Sequence, residues 1–245
     1  MTYCLAITND NGLIFLSDSR TTEGVDVMGT NSKMHGFGVP GERQLTLLTS
    51  GNLAVSQSVV RRLKTDIRKD EGSHLFNLDH MNDVVDYVGE INREESEKAG
   101  GSADIPLLIG GQIQDHRPRI YMVYPQGNYI STSIDTPFLQ IGESKYGKPI
   151  LDRIIKPEIS LETAAMCGLV SMDSTIRSNL TVGPPVELVI YERDSLAQGR
   201  YYRFDEDSKY LRQLKRSWDG LLKEAFEGLP PVEWSASWDM PQAGE

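Results

Sequence analysis

The apolar residues of this chain change their period in blocks, and this order constrains the fold more than any other feature. The first fifty residues contain short apolar runs, and Leu13–Leu16 is apolar on both faces, as expected for a strand in a sheet covered on both sides. Two amphipathic helices follow, because apolar residues recur at helical spacing over 55–67 and 81–91. Strands, helices and strands then follow without a repeat. This order predicts an α+β fold of packed sheets with helices outside, rather than a doubly wound fold.

Turn residues, helix caps and apolar periodicity predict where the strands and helices begin and end. Asn9–Gly12 suits a tight hairpin turn, and Ser160 is a good helix N-cap. A polar loop is expected over Thr21–Ser32, and the second helix is expected to end near Gly100. The predicted strands are 2–8, 13–16, 33–38, 44–49, 106–113, 119–124, 138–141, 186–191 and 201–204, and the predicted helices are 55–67, 81–91, 146–155, 160–172 and 211–229.

Charge and length narrow the class of protein. The 245 residues carry 25 Lys and Arg against 35 Asp and Glu, a net charge of −10. An acidic surface repels phosphate backbones and anionic headgroups, so we expect neither nucleic acid nor a membrane as partner. The longest apolar runs are far shorter than the ~20 residues that span a bilayer. Two cysteines, Cys4 and Cys167, are too few for a disulfide framework. A soluble cytoplasmic protein is predicted.

Familiar cofactor and metal motifs do not occur. The sequence contains no glycine-rich nucleotide loop, no HExxH and no GxSxG, so we expect neither a cofactor nor a metal. The four histidines are scattered. His35 is of interest because, in an extended strand, it lies on the same face as Lys33.

Three residues near the N-terminus carry candidate chemistry: Thr2, Asp18 and Lys33. A hydroxyl is a weak nucleophile unless a base takes its proton. Removal of Met1 would give Thr2 a free amine, whose pKa near ~7.7–8.0 suits that role. Lys33 could lower the pKa of the hydroxyl or accept its proton, and Asp18 could anchor the ammonium. Taken alone, none of the three indicates a site, because threonine at position 2 is common and an Asp or Lys at a strand end is usually a solvated surface group.

Together these residues resemble the N-terminal third of proteasome β-type subunits. In that family a D-S-R-x-T segment follows the first hairpin and supplies the active-site Asp, as Asp18–Thr22 does here, and a lysine follows about fifteen residues later. A glycine turn before the first long helix supplies an oxyanion-hole amide. Here that turn is Thr49–Ala54, so the resemblance assigns the amide to Ser50 or Gly51.

The second half of the chain resembles the same family more weakly. The G-S-G-like element corresponds to Gly142–Gly147, with Glu143 at the position of the serine. An Asp followed by Ser-Gly supports the N-terminal amine in the family. Asp173 matches the carboxylate, whereas Ser174 and Ser178 are alternatives for the serine.

Over nearly its full length the chain resembles Anbu, the bacterial ancestral β-subunit group. The resemblance implies a four-layer αββα sandwich of the N-terminal-nucleophile hydrolases, formed by one domain over 1–229. It also implies identical subunits in a ring or an open helical assembly. The tail 230–245, with Trp234 and Trp238, is expected to dock on its own or a neighbouring subunit.

Three functions fit this pattern. The first is a threonine-type peptide hydrolase with Thr2 as nucleophile, which requires the removal of Met1. The second is an amidase for a small molecule, since the nucleophile does not define the substrate. The third is a non-catalytic assembly protein that retains the fold. A Cys4 thiol nucleophile is a distant alternative, because Cys4 would lack a terminal amine.

Overall fold

A computed structural model of the chain describes residues 1–23, 27–100 and 105–230. The described residues form strands and helices in the following order: β1 Tyr3–Asn9, β2 Gly12–Asp18, β3 Arg20–Glu23, β4 Val27–Thr30, β5 Met34–Val39, β6 Arg43–Thr49, α1 Leu53–Lys69, α2 Met81–Lys98, β7 Leu107–Ile113, β8 Arg119–Val123, β9 Tyr129–Ser131, β10 Phe138–Gly142, α3 Lys148–Ile154, α4 Leu161–Ser178, β11 Val186–Glu192, β12 Arg200–Phe204 and α5 Lys209–Glu227.

Two five-stranded antiparallel sheets form the centre of the fold. The first has the order β10-β1-β2-β11-β12, and the second has the order β5-β6-β7-β8-β9. The strand β1 lies inside the first sheet, where it pairs with β2 on one side and β10 on the other. The N-terminus therefore enters the sheet next to the ends of β2 and β10.

The two sheets pack face to face, with helices on the outer faces. Phe15 and Cys4 from the first sheet share a buried apolar cluster with Leu48 and Leu108 from the second. A second cluster joins the second sheet to α1 and α2 through residues such as Val59. Helix α4 packs on β1, β2 and β11, and α3 packs on α4. The predicted α+β sandwich is confirmed, with its layers in the order helix, sheet, sheet, helix.

Most predicted elements are present, and three differ. The polar loop predicted over Thr21–Ser32 is wrong, because β3 and β4 pair there as a two-stranded hairpin. The short strand β9 was not predicted. Helix α4 ends at Ser178 rather than Met172. The Ser174 hydroxyl donates to the carbonyl of Val170 one turn earlier, so this polar residue is satisfied within the helix.

The chain separates into two compact units between Ser208 and Lys209. The second unit contains α5, which has no buried residue among those described. The predicted single domain over 1–229 stays a prediction, and the tail tryptophans Trp234 and Trp238 lie outside the described residues. No helix in the described part of the chain is long and apolar enough to cross a bilayer.

Candidate active site

Thr2 lies at the start of β1 and is held by its backbone on both sides. Its carbonyl accepts a hydrogen bond from the N–H of Glu143 at 2.8 Å. The N–H of the next residue, Tyr3, donates to Oδ1 of Asp18 at 3.0 Å. Thr2 is only 8% exposed, whereas Met1 before it is 68% exposed. The threonine is thus positioned by the sheet, while the residue that would have to be removed is accessible.

Asp18 and Lys33 form a buried ion pair beside Thr2. Asp18 ends β2, and Lys33 immediately precedes β5. The Lys33 ammonium donates to Oδ1 of Asp18 at 2.8 Å and to the carbonyl of Arg20 at 2.7 Å. Asp18 is fully buried and Lys33 is 7% exposed. Two of the three ammonium donors are therefore used, and Lys33 also borders the cleft that contains Thr2.

The Asp18 carboxylate has several partners that oppose the effect of burial. Burial raises the pKa of the Asp18 carboxyl, whereas Lys33 and the N–H groups of Tyr3 and Gly183 act in the opposite direction. The Gly183 N–H donates to Oδ2 at 3.3 Å. Both carboxylate oxygens are thus hydrogen-bonded, as a buried carboxylate requires.

Ser50 and Gly51 form the turn between β6 and α1, and both border the cleft. Gly51 has a φ of +78°, a left-handed conformation that glycine adopts without strain. The Ser50 hydroxyl donates to the carbonyl of Pro106 at 2.9 Å, so its one O–H donor is already used and the donors left in this turn are backbone N–H groups. Asn52 then caps α1 by accepting from the N–H of Val55. The turn presents backbone amides at the N-terminal end of a helix, where they favour negative charge.

Glu143 follows β10 and also borders the cleft, and its backbone N–H holds the carbonyl of Thr2. The preceding residue, Gly142, has a φ of +81°. A Cβ atom at Gly142 would lie 1.9 Å from the carbonyl oxygen of Thr2, so only glycine permits this close approach.

Of the four residues expected to support the amine, Glu143 borders the cleft and the other three lie on α4. Asp173 and Ser174 are partly buried and Ser178 is exposed, within its last two turns. The described residues that border the cleft do not include these three. The structure therefore brings together Thr2, Asp18, Lys33, Ser50, Gly51 and Glu143. The role of the α4 residues stays a prediction.

Sequence reasoning missed a polar cluster around the side chain of Tyr3, the residue after Thr2. The Tyr3 hydroxyl lies 2.6 Å from the Ser171 hydroxyl and accepts from the Gln140 amide at 2.6 Å. Burial is the main cause that raises the pKa of the Tyr3 phenol to about 12. The only sequence signal was a tyrosine and a glutamine among strand residues, which is too common to identify a site.

The cleft around Thr2 has a volume of about 890 Å³ and is open to solvent. Residues from both sheets and from the start of α1 border it. This volume lies within the range of ligand-binding pockets. The alternative nucleophile Cys4 is fully buried, and burial raises the pKa of its thiol, so it lacks the exposed thiolate that a nucleophile needs.

Comparisons with known proteins agree with this fold. The family model for proteasome subunits matches residues 2–191. A structure of Anbu from Yersinia bercovieri is 42% identical, with a TM-score of 0.92, over 95% of this chain and 100% of that one. The chain belongs to the Anbu family of proteasome subunits.

Other Anbu-family and proteasome proteins extend the comparison. An Anbu structure from Pseudomonas aeruginosa, a helical assembly, is 45% identical with a TM-score of 0.91 over 96% of this chain and 100% of that one. A proteasome subunit beta from Haloquadratum walsbyi is 21% identical over 65% of this chain. The chain spans only 62% of the length of that relative. Family membership thus rests on the Anbu structures and on the proteasome subunit match.

Proposed function

We propose that the chain is a threonine-type peptide or amide hydrolase whose nucleophile is Thr2 after removal of Met1. The observation that carries the proposal is the buried Lys33–Asp18 ion pair, 2.8 Å in length, at the cleft that contains Thr2. A buried charged pair is costly unless it is well satisfied, and here it lies where a nucleophile would need it.

The arrangement supports a two-step acyl transfer. The Thr2 hydroxyl oxygen attacks the amide carbonyl, and the new terminal amine takes the hydroxyl proton. The C–N bond then breaks, and that proton passes to the leaving amine. Water subsequently attacks the Thr2 ester, which releases the acid and restores the hydroxyl. The products are one acid and one amine.

Lys33 and the turn before α1 stabilise the charges of these steps. The Lys33 ammonium, held by Asp18 and the Arg20 carbonyl, lowers the pKa of a hydroxyl beside it. The N–H of Gly51, with that of Ser50 as the alternative, binds the oxyanion of the tetrahedral intermediate. In this proposal Glu143 and Asp173, with Ser174 or Ser178, support the terminal amine. No cofactor or metal takes part in it.

The open cleft favours a peptide substrate over a small amide. Residues of both sheets border it, so an extended chain can enter from the solvent. A small-molecule amidase would be favoured by an enclosed cavity. The proposal includes a cytoplasmic location, since Cys4 and Cys167 are free buried thiols of the kind kept in reducing compartments.

Self-assembly into a ring or an open helix is part of the same proposal. Helix α5 carries large exposed apolar side chains, including Leu221 at 60% and Phe226 at 77% exposure. Side chains of this kind, grouped on one helix, are typical of an interaction surface. Identical subunits are its proposed partner, as in the helical assembly of the Pseudomonas aeruginosa relative.

Labelling with a peptide epoxyketone tests the catalytic proposal, because the probe reacts with both a hydroxyl and a free terminal amine. Wild-type protein without Met1 should gain one adduct, whereas Thr2→Ala should gain none. Lys33→Ala should abolish the adduct and leave the particle mass unchanged in light scattering. The matched control is Lys98→Ala, which removes a lysine that is 60% exposed and paired with Glu95.

Two results would contradict the proposal. A wild-type protein that lacks Met1 and still gains no adduct would favour the non-catalytic assembly protein. A Lys33→Ala protein that dissociates would show that the lysine is structural.

A further inference from the structure

A second groove adjoins the cleft and shares two of its wall residues. The basic groove, as we call it, has a volume of about 530 Å³ and lies between α1 and the start of β5. Thr49 and Ser56 border both the groove and the cleft. A substrate side chain next to the scissile bond could therefore extend from the cleft into the groove.

Three cations on α1 define the charge of the basic groove. Arg61, Lys64 and Arg68 are spaced by three and four residues, which places them on one face of the helix. All three are exposed. No Asp or Glu is among the described residues that border the groove. Three positive charges are thus concentrated at one groove of a protein whose net charge is −10.

These cations are not neutralised by ion pairs in the described part of the chain. Arg61 donates to the hydroxyl of Ser58, and Arg68 donates to the hydroxyl of Thr65. Neither partner is charged. The neighbouring Arg62, by contrast, pairs with Asp66 at 2.9 Å. The groove cations therefore remain available for an anionic ligand.

His35 lies on the opposite wall and is neutral at pH 7. Burial, together with Lys64, lowers the pKa of His35 to about 4, and the carboxylate of Glu187 acts in the opposite direction. Glu187 is already occupied, because it accepts hydrogen bonds from Ser19 and Tyr201. The neutral imidazole can donate a hydrogen bond to a carboxylate without adding charge.

We propose that the basic groove selects acidic side chains in the substrate, so that the enzyme prefers glutamate or aspartate next to the cleaved bond. This inference rests on the proposed function, since it names the class of peptide that Thr2 attacks. A carboxylate in the groove gains attraction from Arg61, Lys64 and Arg68. A lysine side chain there meets three like charges, which disfavours it.

Three tripeptide epoxyketones that differ only in the side chain next to the electrophile test the proposal. They carry glutamate, glutamine or lysine at that position, and intact-mass analysis follows the labelling rate of protein without Met1. We expect the glutamate probe to react fastest and the lysine probe slowest. Each charge removed by Arg61→Gln, Lys64→Gln or Arg68→Gln should reduce the glutamate-to-glutamine ratio by about two- to fivefold. Salt should reduce that ratio, because it screens exposed charges.

Controls separate this inference from the proposed function. Arg62→Gln, on the same helix but outside the groove, should leave the ratio unchanged, and Lys64→Glu should reduce the rate difference between the glutamate and lysine probes more than Lys64→Gln does. If all three probes label the wild type at equal rates, the inference is overturned while the nucleophile stands. If no probe labels Thr2, both the inference and the proposed function are overturned.

Discussion

The buried pair at the site predicts a large effect of Asp18→Asn. Asp18 accepts from Lys33 at 2.8 Å and from the Tyr3 N–H at 3.0 Å through one oxygen, and from the Gly183 N–H at 3.3 Å through the other. Asparagine has one acceptor oxygen and one NH₂ donor. The NH₂ group of the asparagine must then face at least one of the three groups that donate to Asp18. The Lys33 ammonium also loses its counter-ion while it remains buried. Breaking a buried pair in this way costs about 3–5 kcal/mol.

Urea unfolding measures this cost at a fixed subunit concentration, since assembly itself contributes to stability. The midpoint should decrease with an unchanged slope. The matched control is Asp152→Asn, which removes the same group from a pair with Lys148 at 2.6 Å whose side chains are about half exposed. Such a pair contributes only about 0.3–0.5 kcal/mol. The double variant Asp18→Asn, Lys33→Met should recover part of the loss, because it removes the unpaired charge.

A loss below about 1 kcal/mol for Asp18→Asn would refute this reasoning, because that is the range of exposed pairs. It would mean that water reaches the ammonium and replaces the carboxylate. A double variant that is less stable than Asp18→Asn alone would also contradict the unpaired-charge explanation. Whatever the size of the stability loss, Asp18→Asn should abolish epoxyketone labelling if Lys33 acts on the Thr2 hydroxyl.

Three further predictions concern backbone, pH and assembly. Gly142→Ala should abolish labelling, since its Cβ would lie 1.9 Å from the carbonyl oxygen of Thr2, whereas Gly72→Ala, at a φ of +67° in open space, should leave labelling unchanged. Unfolding at several pH values should show stability that rises from pH 4 to 6.5, and His35→Gln should flatten this rise. In that window the unfolded chain binds a proton at His35 that the folded chain, with a pKa of about 4, does not bind, so the free energy of unfolding increases with pH. At this partly exposed site the increase is on the order of 1–2 kcal/mol. Phe226→Ser on α5 should weaken self-association on the order of tenfold, as light scattering over a dilution series would show.

Each of these has an outcome that would count against it. Normal labelling of Gly142→Ala would show that β10 does not position the nucleophile. An unchanged pH profile in His35→Gln would place the proton uptake elsewhere. An unchanged particle mass at every dilution of Phe226→Ser would exclude that side chain from the subunit contact.

The sequence was sufficient for the sandwich because its periods are strong. The apolar stripe around Val59 is buried as predicted, and so is the run Leu13–Leu16, which is apolar on both faces of its strand. The hairpin at Thr21 was missed because β3 is polar throughout and β4 has two successive apolar residues before Gly29 and Thr30, so neither four-residue strand shows an alternation to detect. The end of α4 was missed because the polar residues after Met172 interrupt the apolar pattern, whereas in the structure Ser174 donates to the Val170 carbonyl and is accommodated within the helix.

The site was predictable where chemistry coincides with spacing. Asp18 and Lys33 could be paired from the family-like interval between them, and the structure joins them at 2.8 Å. The contacts of Tyr3 with Ser171 and Gln140 could not be predicted, because they join residues 168 and 137 positions apart. The basic groove likewise depends on how α1 lies beside β5, which no local pattern encodes.

The N-terminal state of protein purified from the source cell tests the central claim most directly. Intact-mass analysis and sequencing of the first peptide determine whether the chain begins at Met1 or at Thr2. We predict a chain that begins at Thr2 and gains a single epoxyketone adduct on that residue. A chain that retains Met1 would leave the threonine with an amide in place of the amine, and it would contradict the mechanism.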